Sequence, residues 1–232
     1  MGPKPRLLSI LDSIALVLFV IAVGMVFFYA PTEAVMGQVQ RVFYFHVATA
    51  WVGMLGFMAA GVAGIAYLRT SNRRWDIVSL AAVEISLVFF FVAIIMGSIW
   101  ARPAWGTWWT WEPRLTTATI VELVYAAYLL LRQGIEDPDR RARFGAVYTL
   151  LGFISVPLTF VAIRLFRTIH PVVFGAGDAQ AQGDFNMTPR MFQTMMFSVL
   201  TFSLIFASLL WHRIRQGALA EKVEQLRLRF TQ

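Results

Sequence analysis

Three histidines and a tryptophan-rich segment are the residues of this chain best suited to chemistry. The histidines are His46, His170 and His212, and five of the eight tryptophans lie within twelve residues, from Trp100 to Trp111. Neutral imidazoles are common metal ligands, and two of them can hold a haem iron from opposite faces of the porphyrin. Indole rings offer broad apolar faces and an N–H group that stays near water. The pattern favours a site for haem or for another flat aromatic ligand.

The composition predicts that a membrane surrounds the elements that position these residues. The chain has 232 residues, of which 58% are hydrophobic and only 14% charged, whereas ordinary globular proteins are about one quarter charged. Its apolar residues form six runs, and a membrane-spanning helix needs about 17–25 such residues. We therefore expect an all-α polytopic membrane protein with six transmembrane helices, at about 14–30, 42–68, 77–100, 116–131, 145–164 and 192–211.

The positions of the basic residues predict how these spans are oriented. Of the 20 lysines and arginines, 14 lie in the amino-terminal segment, in the loops after the second and fourth spans, and in the carboxyl tail. By the positive-inside rule these segments face the cytoplasm, and so do both termini. The net charge of +7 then records topology, and we expect the lipid bilayer and no nucleic acid as a partner. Residues 1–232 are expected to form one integral membrane domain.

The order of the spans predicts which histidines share a surface. His46, His170 and the Trp-rich loop between helices 3 and 4, at 101–115, fall at the outer side, whereas His212 falls at the inner end of the sixth span. Only the first two histidines can then belong to one site. Arg41 and Arg114 lie on the same rim and are donors suited to the two carboxylates that haem carries.

Each of these features also has a simpler interpretation. A tryptophan-rich stretch at a membrane surface is commonly an aromatic belt, His46 can serve a hydrogen bond within the bundle, and His170 can be an ordinary loop residue. Glu84 and Glu122 lie within spans, where carboxyl groups serve as structural hydrogen-bonding groups or as parts of a proton path. We interpret both glutamates as structural.

Two absences from the sequence restrict the chemistry further. The chain contains no cysteine, which excludes disulfides, thiolate metal sites and covalent haem attachment through C-x-x-C-H. It also lacks the G-x-x-x-x-G-K-[ST] phosphate loop, so any ATP must be bound by another subunit. The tail from about 213 has Leu219, Val223, Leu226 and Phe230 at helical spacing, which predicts either a helix on the inner membrane surface or a solvated anchor.

The segment at residues 105–116, WGTWWTWEPRLT, closely resembles the WWD signature of haem-handling membrane proteins. With the six spans, with Arg41 and His46 before it and with His170-Pro171 after it, the chain resembles the cytochrome c maturation protein C family, also called haem exporter protein C. The resemblance covers about residues 10–212. Glu112 stands where the family usually has aspartate, which keeps the charge and lengthens the side chain by one methylene.

The resemblance implies a specific haem site and a specific set of partners. Non-covalent haem b is held at the periplasmic face of the bacterial inner membrane and passed to a periplasmic haem chaperone. The chain is then not an enzyme, and it works beside the ATPase and permease subunits of an ABC transporter and a small single-span membrane subunit. The implied iron ligands are His46 and His170, and the other implied binding residues are Trp105, Trp108, Trp109, Trp111, Arg41, Arg114 and Glu112.

Two other classes of protein remain as alternatives. A permease subunit that translocates haem across the bilayer needs a polar path through the bundle, for which Glu84 and Glu122 are the sequence's candidates. A b-type electron-transfer cytochrome usually binds two haems with four histidines in its spans, whereas this chain has three histidines in all. Transport in sealed vesicles and transfer of haem to an acceptor discriminate between these classes.

Overall fold

The computed structural model describes residues 3–34, 36–166, 168–170 and 187–230. Six of its helices are long and apolar enough to cross a membrane, which confirms the predicted all-α fold. A π-helical turn, Met25–Tyr29, directly continues the first helix. The helices are α1 (Arg6–Gly24), α2 (Gln40–Thr70), α3 (Arg73–Trp105), α4 (Pro113–Gln133), α5 (Pro138–Leu165) and α6 (Pro189–Phe230).

Polar caps let several helices begin before the apolar runs do. The Asn72 side chain accepts a hydrogen bond from the backbone N–H of Arg74 at 3.0 Å and so starts α3. Asp137 accepts one from the N–H of Arg140 at 2.6 Å and starts α5, with Pro138 in its first turn. These side chains satisfy N–H groups that have no partner within the helix. Hydropathy alone does not detect such polar first turns.

The Trp-rich loop is shorter than predicted. We expected residues 101–115, but α3 continues to Trp105 and α4 begins at Pro113. Pro103 lies in the last turn of α3 without ending it. The helix ends instead at Gly106, which has a left-handed φ of 73° and whose N–H donates to the carbonyl of Arg102 at 3.0 Å. Glycine takes this conformation without a steric penalty, so the loop proper is residues 106–112.

Helix α2 lies at the centre of the bundle and packs against α3, α5 and α6. Its Phe57 stacks on Tyr125 of α4 with the ring centroids 3.9 Å apart, and the Tyr125 hydroxyl donates to the Phe57 carbonyl at 3.1 Å. A methyl group added to Gly53 would lie only 3.0 Å from the Cβ of Phe90, which shows how closely α2 and α3 approach. Close helix packing through small residues is typical of membrane bundles.

The loop at residues 106–112 defines one end of the bundle, which we call the tryptophan end. An apolar cluster ties the π-helical turn, α2, α3 and α6 together there. Within it the Trp100 indole N–H donates to the Gln40 side-chain oxygen at 3.1 Å. Near the same end the Tyr29 hydroxyl donates to Gln193 at 2.6 Å. The π-helical turn and the adjoining ends of α2, α3 and α6 therefore meet at this end.

Ion pairs join the helices at the opposite end. Arg132 of α4 donates to both carboxylate oxygens of Asp76 of α3, at 2.5 and 3.0 Å, and the side chains are 8% and 5% exposed. Glu84 pairs with Arg213 of α6 at 2.6 Å, which agrees with a structural role for this carboxylate. Such pairs compensate charges that are costly to bury.

The carboxyl tail continues α6 without a break as far as Phe230. The sequence predicts either a helix on the inner membrane surface or a solvated anchor for this segment. In the described part of the tail, Glu221 lies 3.6 Å from Arg73 of α3, so the tail packs against the start of α3. Four apolar residues of the tail are spaced as on one face of a helix, and all four are exposed: Leu219, Val223, Leu226 and Phe230.

Candidate functional site

Two adjoining cavities lie at the tryptophan end, and both are lined by His46, Arg114 and His170. They enclose about 670 and 460 Å³ of empty space, counting the open space at their mouths. Sites for small molecules typically measure about 300–1,000 Å³. The two histidines that the sequence predicted to share a surface thus line the same cavities, although they are 124 residues apart in the sequence.

His46 lies on α2 and is held by α3. Its Nδ1 atom is 2.8 Å from the carbonyl oxygen of Ala93. A carbonyl oxygen can only accept a hydrogen bond, so Nδ1 must carry the proton of the neutral ring. The lone pair is then on Nε2, and this is the arrangement in which a histidine binds a metal while its other nitrogen donates to a backbone carbonyl.

His170 lies in the connection between α5 and α6, outside any helix. Its ring packs edge-on against Trp105, with centroids 6.0 Å apart and planes at 63°. Its backbone N–H donates to the hydroxyl oxygen of Thr168 at 3.0 Å. Pro171, which accompanies His170 in the family resemblance, lies outside the described residues.

The four tryptophans of the predicted platform divide into two pairs. Trp105 and Trp109 line the larger cavity, and the buried indole nitrogen of Trp109 has no hydrogen-bond partner among the described residues. Trp108 and Trp111 do not line either cavity and are 58% and 73% exposed. The first pair therefore belongs to the cavity wall, whereas the second pair lies on the exposed surface.

The two predicted arginines are placed differently. Arg114, in the first turn of α4, lines both cavities and lies 5.9 Å from the ring centroid of Phe160. No carboxylate pairs with it among the ion pairs that the described residues form. Arg41 lines neither cavity, and its guanidinium lies 5.0 Å from the ring centroid of Phe27. A role for Arg41 in ligand binding stays a prediction.

Glu112 does not line either cavity but caps α4. Its Oε1 atom accepts a hydrogen bond from the N–H of Leu115 at 2.7 Å, and its Oε2 atom accepts one from the hydroxyl of Thr168. The geometry therefore links Glu112 to the segment that carries His170. The sequence did not single out Thr168, because a lone threonine in a connection carries no recognisable pattern.

Three further residues, which the sequence did not assign to the site, line the larger cavity. Gly97 of α3 lies beside the His46 ring, where an added methyl group would be 2.8 Å from Cε1. Thr159 and Met54 line the larger cavity, with the Thr159 hydroxyl 3.9 Å from the Met54 sulfur. The packing of a glycine against a histidine cannot be predicted from one sequence, since the contact joins two helices.

The remaining titratable candidates lie away from this cavity. His212 is at the opposite end of the bundle, where its Nε2 atom lies 3.0 Å from Asp12 of α1. Glu122 is on α4 and does not line the cavity; one of its carboxylate oxygens is buried without a hydrogen-bond partner among the described residues. The predicted separation of His212 from the other two histidines is therefore present in the fold.

The residues of the cavity fit haem as a bound cargo. One histidine has its proton fixed on Nδ1, Arg114 faces the cavity without a carboxylate partner among the described ion pairs, and the Trp109 N–H is a buried donor with no acceptor in the described part of the chain. Haem supplies an iron that accepts imidazole nitrogens and carboxylates that accept hydrogen bonds. Apolar side chains make up most of the remaining lining: Phe90, Ile94, Leu115 and Ala118.

Comparison with known proteins gives a consistent result. The family model described as "Heme exporter protein C" matches residues 3–229. Similar curated proteins include Heme exporter protein C of Bradyrhizobium diazoefficiens, 29% identical over 86% of this chain and 74% of the relative. Heme exporter protein C of Rhodobacter capsulatus is 29% identical over 88% and 83%. The protein of that name from Escherichia coli K12 is 28% identical over 84% and 78%.

Proposed function

Because the chain belongs to the heme exporter protein C family of cytochrome c biogenesis, we propose that it holds haem b non-covalently in the cavity at the tryptophan end and delivers it to a periplasmic haem chaperone. The observation that carries the proposal is the convergence of His46, His170 and Arg114 on the walls of two adjoining cavities. The iron supplies two coordination positions for imidazole when haem is bound. The chain's own residues bind the haem and orient it.

His46 is the ligand that the bundle holds rigidly. Its ring is fixed by the Ala93 carbonyl, so Nε2 is available without loss of a proton. His170 comes from a connection outside the helices, and a ligand in such a segment can be displaced more readily than one on a packed helix. One fixed and one displaceable ligand suit a protein that must first retain haem and then release it.

Arg114 and the two cavity-lining tryptophans orient the haem. A guanidinium group forms paired hydrogen bonds with a carboxylate, and Arg114 lines the cavity in the first turn of α4. Trp105 and Trp109 supply apolar surface to the same cavity. This arrangement excludes water from the bound haem and sets which edge of the ring faces outward. ATP hydrolysis takes place on a separate subunit of an ABC transporter complex.

The proposed orientation places the tryptophan end in the periplasm of a bacterial inner membrane, with both termini in the cytoplasm. The distribution of lysine and arginine supports it. Because the chain has no cysteine, single cysteines report topology without background. Thr107→Cys is expected to react with a membrane-impermeant thiol reagent from the periplasmic side only, and Asn72→Cys from the cytoplasmic side only. The reverse pattern would contradict the orientation.

The ligands are tested by the spectrum of the purified protein. We expect the low-spin spectrum of haem with two imidazole ligands, lost or strongly weakened in His46→Ala and in His170→Ala. His212→Ala is the matched control because its side chain contacts Asp12 at the opposite end, and it should leave the spectrum unchanged. Transfer of the haem to purified apo-chaperone distinguishes delivery from a resident cytochrome. Loss of haem in His212→Ala but not in His46→Ala would refute the site.

A further inference from the structure

A continuous hydrogen-bonded path joins the start of α4 to the segment that carries His170. One carboxylate oxygen of Glu112 caps α4 through the N–H of Leu115 at 2.7 Å. The other accepts a hydrogen bond from the hydroxyl of Thr168. The hydroxyl oxygen of Thr168 accepts the backbone N–H of His170 at 3.0 Å.

The chemistry of these groups fixes the direction of every bond. An ionised carboxylate can only accept, so the Thr168 hydroxyl must donate its single proton to Glu112. The lone pairs of the hydroxyl then remain for the N–H of His170. Thr168 is only 2% exposed, so water does not compete readily for either bond, and leaving either partner unpaired would carry a penalty.

The segment that carries His170 lies outside the helices. Helix α5 ends at Leu165 and the described residues 168–170 belong to no helix, so the position of His170 is not set by helical hydrogen bonds. Glu112, by contrast, is the first residue before α4 and is fixed by the cap that it makes. Arg114 follows two positions later, in the first turn of α4. One rigid element thus carries Arg114 and the anchor of the His170 segment.

We propose that Glu112 and Thr168 are positioning residues that hold His170 at the cavity wall, so that the carboxylate at the start of α4 controls the second iron ligand without touching the haem. The inference rests on the proposed function, because it assigns a support to one of the two proposed ligands. Partners that orient a metal-binding histidine typically change metal affinity or activity about 10–100-fold when they are removed.

The decisive comparison is Thr168→Val with Thr168→Ser. Valine keeps the shape of threonine and removes the hydroxyl, whereas serine keeps the hydroxyl. We expect Thr168→Val to retain haem through His46 but to lose the second imidazole in most molecules, giving a five-coordinate high-spin spectrum. Free imidazole should restore the low-spin spectrum. Haem retention against a soluble haem acceptor should fall about 10–100-fold, and Thr168→Ser should resemble the unmodified protein.

A second pair of variants separates positioning from helix capping. Glu112→Ala removes the cap of α4 together with the contact to Thr168, and Asp137→Ala removes a comparable cap from α5 at the opposite end. Both are expected to lower stability, but only Glu112→Ala should produce the high-spin spectrum that imidazole reverses. Equal spectra for these two variants would overturn the inference.

The possible outcomes keep the inference distinct from the proposed function. If His170→Ala loses the low-spin spectrum and Thr168→Val keeps it, His170 is a ligand but the positioning role is wrong. If His170→Ala itself keeps the spectrum, the proposed ligand is wrong and the inference falls with it. The inference is supported only when His170→Ala and Thr168→Val lose the second imidazole and Thr168→Ser keeps it.

Discussion

The imidazole of His46 on α2 is bound to the backbone of α3, with its Nδ1 atom 2.8 Å from the carbonyl oxygen of Ala93. In a regular helix that carbonyl accepts from the N–H four residues later, which belongs to Gly97. The histidine can share the carbonyl because position 97 has no side chain: an added methyl group would lie 2.8 Å from the Cε1 atom of the ring. The glycine therefore sets the orientation of the proposed iron ligand.

Substitution of Gly97 is predicted to displace that ligand. In Gly97→Ala the methyl group forces the His46 ring away from the Ala93 carbonyl, and the low-spin spectrum of bound haem should weaken or disappear. The control is Gly24→Ala, since nothing lies within 4 Å of a methyl group added there and α1 is not part of the cavity. Absorption spectra of the two purified variants test the prediction. An unchanged spectrum in Gly97→Ala would mean that the ring is not held as proposed.

Arg114 is predicted to bind a carboxylate of haem. Arg114→Lys keeps the positive charge but loses the paired donors of the guanidinium group, and Arg114→Ala loses both. Hydrogen bonds to charged groups contribute about 1.5–3 kcal/mol, so Arg114→Ala should weaken haem binding about 10–100-fold, with Arg114→Lys between the two. Haem dimethyl ester is the matched ligand, because its carboxylates are blocked. Arg114→Ala and the unmodified protein should bind the ester equally, and a preserved difference would contradict the contact.

The sequence predicts the architecture well because long apolar runs and the bias of positive charge are strong, local signals. It also brings His46 and His170 together through nothing more than the order of the spans. The neighbours of these ligands were not predictable. The Ala93 carbonyl and Gly97 reach His46 from another helix, and Thr168 joins the segment of His170 to Glu112, 56 residues earlier in the chain. Local patterns show that a residue lies near an end of the bundle, but not which group it contacts there.

The loop illustrates the same limit at the level of single residues. The predicted third span ends at residue 100, yet α3 continues past Pro103 and ends at the left-handed Gly106. The spacing of Trp105, Trp108 and Trp109 gives no means of telling a cavity-lining ring from an exposed one. That division depends on how the loop turns between α3 and α4.

The ion pair between Asp76 and Arg132 is predicted to be a major contribution to the stability of the bundle. The two side chains are 5% and 8% exposed and lie 2.5 Å apart at their closest atoms. Removing one partner of a buried pair typically costs about 3–5 kcal/mol, because the other charge is left uncompensated. Asp76→Asn should therefore unfold at a markedly lower denaturant concentration in detergent.

The control for that measurement is an exposed pair in the tail of α6. Glu224 lies 3.6 Å from Arg227, and the side chains are 58% and 76% exposed. Exposed pairs contribute about 0–1 kcal/mol, so Glu224→Gln should unfold almost as the unmodified protein does. Similar unfolding free energies for Asp76→Asn and Glu224→Gln would show that the buried pair is not a major support.

The two pairs of tryptophans are predicted to act at different steps. Trp105 lines the cavity and contacts His170, so Trp105→Ala should weaken haem binding itself. Trp108 and Trp111 are largely exposed, and exposed aromatic side chains are frequent anchors of protein interfaces.

The double variant Trp108→Ala, Trp111→Ala should bind haem with an unchanged low-spin spectrum but transfer it to apo-chaperone more slowly. Haem titration measures binding in both variants, and a stopped-flow assay after equal haem loading measures transfer. Because loading is matched, a slow transfer in the double variant cannot come from lost haem. If the double variant transferred haem at the normal rate but bound it poorly, all four tryptophan rings would form one binding surface. The division into two pairs would then be wrong.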